Sequence, residues 1–248
     1  MTDRAFEALV GRRSGASYVP AFAGFNRPPT SSPAQQEVAA IGPRQASDFL
    51  GRAFDVTSAV FALILLLPLL ATIYLAVKLS GPGPAIFVQM RVGRDGQLFP
   101  CLKFRSMVVD AQQRLERLLA ESEQAREEWA RDQKLRNDPR ITAIGAFLRK
   151  SSLDELPQLL NVLCGHMSIV GPRPIVEGEI VRYGDRFAAY CTVRPGLTGL
   201  WQVSGRNEVS YDARVRLDAR YAHRKSLSYD LSICLRTVSA VLLSRGCY

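Results

Sequence analysis

The chain has 248 residues, 47% of them hydrophobic, a formal charge of +9 at pH 7 and two histidines. That length suffices for one domain with a sizeable core plus a tail, and the charge calls for an anionic partner such as a membrane surface or a phosphorylated substrate. Two histidines (His166, His223) exclude a histidine-rich metal site, and five cysteines without CxxC spacing (Cys101, Cys164, Cys191, Cys234, Cys247) read as thiols of a reducing compartment.

Residues 1–47 are rich in Pro, Ser, Gly, Ala and Gln with scattered arginines and no sustained period, which predicts a disordered N-terminal tail. A secretory signal would place its apolar core nearer the start. Residues 56–77, VTSAVFALILLLPLLATIYLAV, carry no charge. As a helix this run is about 33 Å long, enough for a bilayer core of about 30 Å. Pro68 lies near its middle, where proline removes a donor and crowds the carbonyl of Ile64, so a kink is expected. Basic residues flank both ends, Arg44 and Arg52 before and Lys78, Arg91 and Arg94 after, so the positive-inside rule names no outward side. Both flanks fit the same face if the helix bends at Pro68 and returns. A straight crossing stays open.

Gly81-Pro82-Gly83-Pro84 and Gly93, Asp95, Gly96 punctuate the next stretch, and Ile86-Phe87-Val88 with Leu98 to Phe104 predict a short strand pair turning at 93–96. Lys103 and Arg105 alternate with Phe104, which puts both on one face, either as solvated edge charges or toward phosphate. Residues 108–136 predict an exposed charged helix laced by i,i+3 and i,i+4 pairs, broken by Asn137-Asp138-Pro139.

Residues 138–174 hold the densest chemistry. Ile141, Ile144, Phe147 and Leu148 recur at helical spacing beside Arg140, Arg149 and Lys150, and Leu156, Leu159, Leu160 and Leu163 give a second helix its stripe. Between them stand Asp154 and Glu155. Ser152 followed three residues on by Glu155 has the spacing of a capping box, and acids suit a first helical turn. The other reading starts from Arg149, Lys150 and Arg173 nearby: a diphosphate suits that setting, with Mg²⁺ held by one or two carboxylates plus phosphate oxygens and an ionised Asp attacking phosphorus. Gly171-Pro172-Arg173-Pro174 holds one guanidinium on a preset turn, suited to bidentate phosphate contact or to a structural carboxylate pair.

Residues 175–190 predict an amphipathic helix, and Arg194 to Gln202 a Gly/Pro-set loop entering an extended piece, with Trp201 most readily a core residue and otherwise one at the membrane interface. Residues 209–224 carry a basic face suited to anionic headgroups. Residues 227–243 form a final amphipathic helix, to float in the interface or pack on the domain.

The run FLRKSSLDELPQLLNVLCGHMSIVGPRP, with KFRSM at 103–107, RPGLTGLWQVSGR at 194–206 and LDARY at 217–221, resembles the bacterial sugar transferases, the monotopic polyprenyl-phosphate phosphoglycosyl transferases, and most closely the single-domain type that starts exopolysaccharide repeats. The likeness covers roughly residues 48–243. It implies an α+β, mostly helical, membrane-associated fold with a small β-element. A Pro-kinked re-entrant helix-hairpin over 48–80 would anchor a catalytic domain over 81–248, with interfacial helices, on the cytoplasmic face of the bacterial inner membrane. The family often has Ser-Pro at the break, where this chain has Leu67-Pro68.

The implied reaction moves a sugar-1-phosphate from a UDP-sugar to undecaprenyl phosphate and releases UMP. Asp154 would be the nucleophile and form a phosphosugar-aspartyl intermediate. Glu155 would be catalytic and bind Mg²⁺, while Lys103, Arg105, Arg149, Arg173 and Arg194 would contact substrate. UDP-sugar, undecaprenyl phosphate and anionic lipid are the implied partners. Nucleic acid is set aside because the positive charge is scattered, and a homo-oligomer is left open. Two rival readings are a lipid-linked glycosyltransferase releasing UDP and a non-catalytic scaffold for polysaccharide assembly. No residue discriminates glucose from galactose.

Overall fold

The computed structural model describes residues 45–132, 135–205 and 209–242. The tail expected over 1–47 lies outside them but for residues 45–47, which open the first helix.

Helix α1 spans Gln45–Leu79 as one element of 35 residues with Pro68 inside it. The break expected at Pro68 does not divide it into two elements; the proline leaves the Ile64 carbonyl without its amide partner, and Thr72 donates its hydroxyl to the Pro68 carbonyl at 2.9 Å. Both ends of α1 are held by the same body. At the first end, Arg52 donates to the carbonyls of Val162 and Leu163 at 2.7 and 3.0 Å. One turn on, Asp55 accepts from the Ser168 hydroxyl and the Ile169 amide, both at 2.8 Å. Ala59, Ala62 and Leu63 follow it into a cluster with Phe99, Leu159, Val162 and Met167. At the far end, Leu70, Ile73 and Val77 pack with Ala85, Phe104 and Leu148. The other face is open: Phe61, Ile64, Leu65 and Leu67 are each more than 60% exposed. An isolated apolar surface of that kind needs lipid or another cover.

Strands β1 (Ile86–Val92) and β2 (Leu98–Phe104) form the expected antiparallel hairpin. Its turn is closed by the Gly93 amide on the Gln97 carbonyl at 2.7 Å. The outer edge of β2 is satisfied by a side chain in place of a strand: Asn161 accepts from the Leu102 amide at 2.9 Å and donates to the Pro100 carbonyl at 2.7 Å. Fully buried amide groups of this kind fix the helix that carries them to the hairpin.

The charged stretch expected as one helix is two, α2 (Ala111–Glu121) and α3 (Glu123–Asp132). Ser122 between them is extended, and its hydroxyl accepts from the Ala125 amide, so it stops one helix and caps the next. Helix α4 (Ala143–Ser151) is capped by Thr142, whose hydroxyl accepts from the Gly145 amide at 3.0 Å. A 3-10 turn (Leu153–Glu155) and the short α5 (Gln158–Leu163) follow. Strands β3 (Ser168–Val170) and β4 (Gly196–Thr198) pair in parallel.

The helix expected over 175–190 is broken into α6 (Ile180–Tyr183) and α7 (Phe187–Cys191). The cause is Gly184, whose backbone (φ 50, ψ −133) no helix admits. Helices α8 (Tyr211–Arg224) and α9 (Leu227–Leu242) close the fold. Buried tyrosines tie these layers: Tyr190 donates to the Val92 carbonyl at 2.7 Å, and Tyr221 lies 2.8 Å from the Val170 carbonyl. The chain is thus mostly helical with small β-elements, as expected.

Candidate active site

The hairpin supplies the floor. Its register sets Phe87 opposite Lys103, Gln89 opposite Cys101 and Arg91 opposite Phe99. Residues directly opposite in an antiparallel pair share a face, and the face repeats every second residue. Arg91, Cys101 and Lys103 therefore line one small cleft, of about 20 Å³, together with Glu155, Gln158, Arg173 and Gln202.

The acidic turn is set by the end of α4. Ser152 takes a left-handed conformation (φ 57) and gives its amide to the carbonyls of Leu148 and Arg149. That reversal swings the chain so that Leu153 and Leu156 enter the core beside Phe104 and Leu148, leaving Asp154 and Glu155 between two anchored leucines. The capping-box spacing is a coincidence of sequence here. Ser152 makes no side-chain cap, and the Glu155 carboxylate turns instead to Lys103, with Nζ 2.7 Å from Oε1.

The two carboxyls are driven apart. Burial pushes both up, but for Glu155 the Lys103 ammonium, with Arg173 and Arg91 behind it, wins and holds it below the usual carboxylate range. For Asp154 burial prevails over the attraction of Lys103 and Arg149, Glu155 adds repulsion, and the group sits above its ordinary value. Asp154 is 9% exposed. It has no ion pair within the described residues, and Glu155 rather than Asp154 lines the cleft. Adjacent carboxyls with opposed shifts are the pattern expected where one is to stay bound and the other is to react.

The opposite wall is the loop Gly171–Pro174. The Gly171 amide donates to the Thr198 carbonyl and the Gly196 amide to the Pro172 carbonyl, each at 2.8 Å. Backbone meets backbone so closely that a Cβ on Gly196 would lie 2.0 Å from the Gly171 nitrogen. Arg91 adds a bond to the Pro174 carbonyl at 3.1 Å. Arg173 rises from this pinned loop with its guanidinium 5.9 Å from the centre of the Trp201 ring. Trp201 is buried, as expected for a core residue.

Of the residues singled out in sequence, Lys103, Glu155 and Arg173 meet in the cleft, Asp154 adjoins it, and Arg149 stands exposed at the end of α4 within electrostatic reach of Asp154. Two are not brought there. Arg105 is 7% exposed and donates to the carbonyls of Val77, Gly81 and Pro82, where it closes the end of α1. Its alternation with Lys103 fails because β2 ends at Phe104. Arg194 donates to the Gly165 carbonyl at 2.8 Å, among Arg94, Arg52, Asp55 and Asp48 near the start of α1.

Arg91, Gln158 and Gln202 are cleft residues that sequence reading missed. For Arg91 a signal existed: it stands at the same parity as Gln89 in β1, across from the parity of Lys103. Burial and the neighbouring Arg173 both lower its pKa, and its Nε lacks a hydrogen-bond partner. Cys101, pushed up to about 11 by burial, is a thiol at neutral pH. Glu155, the carboxylate of the pair that lines the cleft, would fit a magnesium ion that takes most of its ligands from phosphate and water. Among the described residues no group of three or more His, Cys, Asp or Glu side chains would cage a metal without substrate.

The sequence model of the family described as "Bacterial sugar transferase" matches residues 46–244. The chain is 52% identical over 205 residues to the "Undecaprenyl-phosphate galactose phosphotransferase" of Salmonella typhimurium, covering 83% of this chain and 43% of that protein. It is 51% identical over 197 residues to the "Exopolysaccharide production protein ExoY" of Rhizobium meliloti, covering 79% and 87%. To the "UDP-glucose:undecaprenyl-phosphate glucose-1-phosphate transferase" of Escherichia coli it is 40% identical over 207 residues, covering 80% and 41%. The chain thus spans less than half the length of the Salmonella and Escherichia relatives.

Proposed function

Because the chain belongs to the bacterial sugar transferase family, we propose that it is an undecaprenyl-phosphate hexose-1-phosphate transferase, acting at the first membrane step of exopolysaccharide synthesis. In the proposed reaction the Asp154 carboxylate attacks the β-phosphorus of a UDP-sugar. The bond from that phosphorus to the bridging oxygen breaks, UMP leaves with the electron pair, and the sugar phosphate stays on Asp154. An undecaprenyl phosphate oxygen then attacks the same phosphorus, which frees Asp154 and yields the diphosphate-linked lipid sugar. One phosphorus site thereby serves a donor from water and an acceptor from the bilayer in turn.

The observation that carries this reading is the split acidic pair: Glu155 bound by Lys103 at 2.7 Å, and Asp154 beside it without an ion pair among the described residues. Arg91, Lys103, Arg149 and Arg173 are the groups to neutralise phosphate charge. Glu155 is the carboxylate to hold Mg²⁺ with substrate oxygens. When bound, that ion supplies further charge neutralisation on the diphosphate. A cleft of about 20 Å³ is far smaller than a ligand pocket, so donor entry widens it between the acidic turn and the Gly171–Pro174 loop.

For placement we propose a monotopic anchor with the catalytic body on the cytoplasmic face. A helix whose Arg52–Leu63 and Leu70–Val77 segments both dock on one charged body would drag that body into hydrocarbon if it crossed straight, at a cost of several kcal/mol per charge (roughly). A helix bent at Pro68, its open apolar face in lipid, avoids this.

The test is incubation of the protein with Mg²⁺, undecaprenyl phosphate and a panel of UDP-sugars. Expected are UMP release and, with lipid withheld, a hexose-phosphate mass on the Asp154 peptide. UDP release would replace this reading with direct glycosyl transfer, and no nucleotide release at all with a scaffold.

A further inference from the structure

A concavity of about 700 Å³ is remote in composition from the acidic turn: none of its lining residues lines the Lys103–Glu155 cleft. It lies between the Tyr183–Arg186 connection, α7 and α8. Arg182 and Arg186 stand on one side, Arg216, Arg220 and His223 on the other, and Asp185 is the one acid.

The α8 residues fall at i, i+4 and i+7, so the helix presents them as a single basic row. Among the described residues, the guanidinium groups of Arg186, Arg216 and Arg220 take part in no hydrogen bond or ion pair, and all three side chains are exposed. Arg182 is braced by the Tyr211 ring, its guanidinium 3.8 Å from the ring centre. Four guanidinium groups facing one hollow repel one another, and an anion inside it reverses that sign. The volume is that of a small-molecule site, whereas the fork-shaped groups suit phosphate oxygens.

We propose that this cleft is a second binding site, for a soluble phosphorylated molecule of about nucleotide size. A lipid headgroup is the less fitting occupant for two reasons. A bilayer surface is flat and leaves the floor of a hollow unreached. The elements that dock α1 (α4, α5, β3 and α9) are also not those that line the cleft.

Inorganic pyrophosphate is the probe, titrated calorimetrically into the whole protein in neutral detergent at physiological ionic strength. Two binding events per chain are expected. R216A/R220A weakens one of them by about ten- to a hundredfold and leaves the other, and sugar-phosphate transfer, as in the wild type. Ala219→Trp fills the hollow without altering its charge and removes the same event. A single event in the wild type, or two undiminished events in R216A/R220A, overturns the proposal. So does Ala219→Trp binding like wild type, which would mean scattered charge without a pocket. If the arginine pair weakens binding to phosphatidylglycerol vesicles while leaving pyrophosphate untouched, the row is a membrane face and the proposal also falls. Should R216A/R220A fail to fold, R186A/R220A serves in its place.

Discussion

Two acid–base groupings flank α4 and answer the same problem differently. Before the helix, Arg140 grips Asp138 with two bonds, Nε to Oδ1 at 2.8 Å and Nη2 to Oδ2 at 2.7 Å, and both side chains are under 10% exposed. The guanidinium also lies 5.1 Å from the centre of the Trp129 ring. After the helix, one lysine faces two carboxyls and reaches only Glu155. Burial raises both Asp138 and Asp154, but Arg140 pulls Asp138 back below the ordinary value while Asp154 remains above it. Saturated pairing makes a strut. An acid with a charged neighbour but, among the described residues, no ion pair keeps lone pairs for something else.

The sharpest way to break the contrast is to neutralise each acid in turn. Asp154→Asn is expected to abolish UMP release, by at least about 10³-fold, with thermal stability unchanged or slightly raised because a buried charge is removed. Asp138→Ala is expected to do the reverse, costing about 3 kcal/mol of stability by stranding Arg140, with activity per folded molecule preserved; chemical unfolding and nucleotide release measure the two.

Lys103→Met comes next, with a loss of about 10²-fold in kcat/KM. Its signature is in the pH profile. In the proposed reaction the ionised Asp154 attacks, so the rate is expected to climb as pH rises through a pKa above the ordinary aspartate value. Removing the ammonium that favours ionisation moves this acid limb to higher pH. A limb that stays put would separate Lys103 from Asp154.

A third acid extends the comparison to stability alone. Burial pushes Asp218, 2.8 Å from the Tyr183 hydroxyl, from 3.8 up to about 7. The folded chain holds that proton more tightly than the unfolded one, so stability is fully present below pH 4 (about), declines up to about pH 7 and levels off above. Asp218→Asn should flatten this component in denaturant titrations across that window. Smallest is Ser152→Gly, which relieves the left-handed backbone at the head of the acidic turn and is expected to stabilise by about 0.5 kcal/mol.

Sequence periodicity located the long apolar helix, the hairpin and the helices around the acidic pair, because buried stripes and Gly/Pro stops are local features. Ser122 and Gly184 were harder, since each breaks a helix through its own φ and ψ rather than through hydrophobic pattern. Of the candidate cleft, the linked motifs named Lys103, Glu155 and Arg173, with Asp154 adjoining it. Arg91 and Arg105 show what the letters hide. Arg91 lies in β1 and Arg105 just past the end of β2. One enters the cleft through hairpin register, and the other caps a helix through a loop 23 residues back. Likewise Ser152 and Glu155 have cap spacing, yet the choice between a serine amide and a lysine depended on where β2 ran.

The double docking of α1 also bears on how this protein can be handled. Cutting the chain after Leu79 to gain a water-soluble fragment would bare Leu159, Val162, Met167 and Leu148 and strip the carbonyls of Val162 and Leu163 of their arginine. The helix with the open apolar face doubles as a keel bolted through the hull, so purification has to carry it along, in detergent or nanodisc, and redesign for solubility belongs on its outer face, at positions such as Phe61, Ile64 and Leu65.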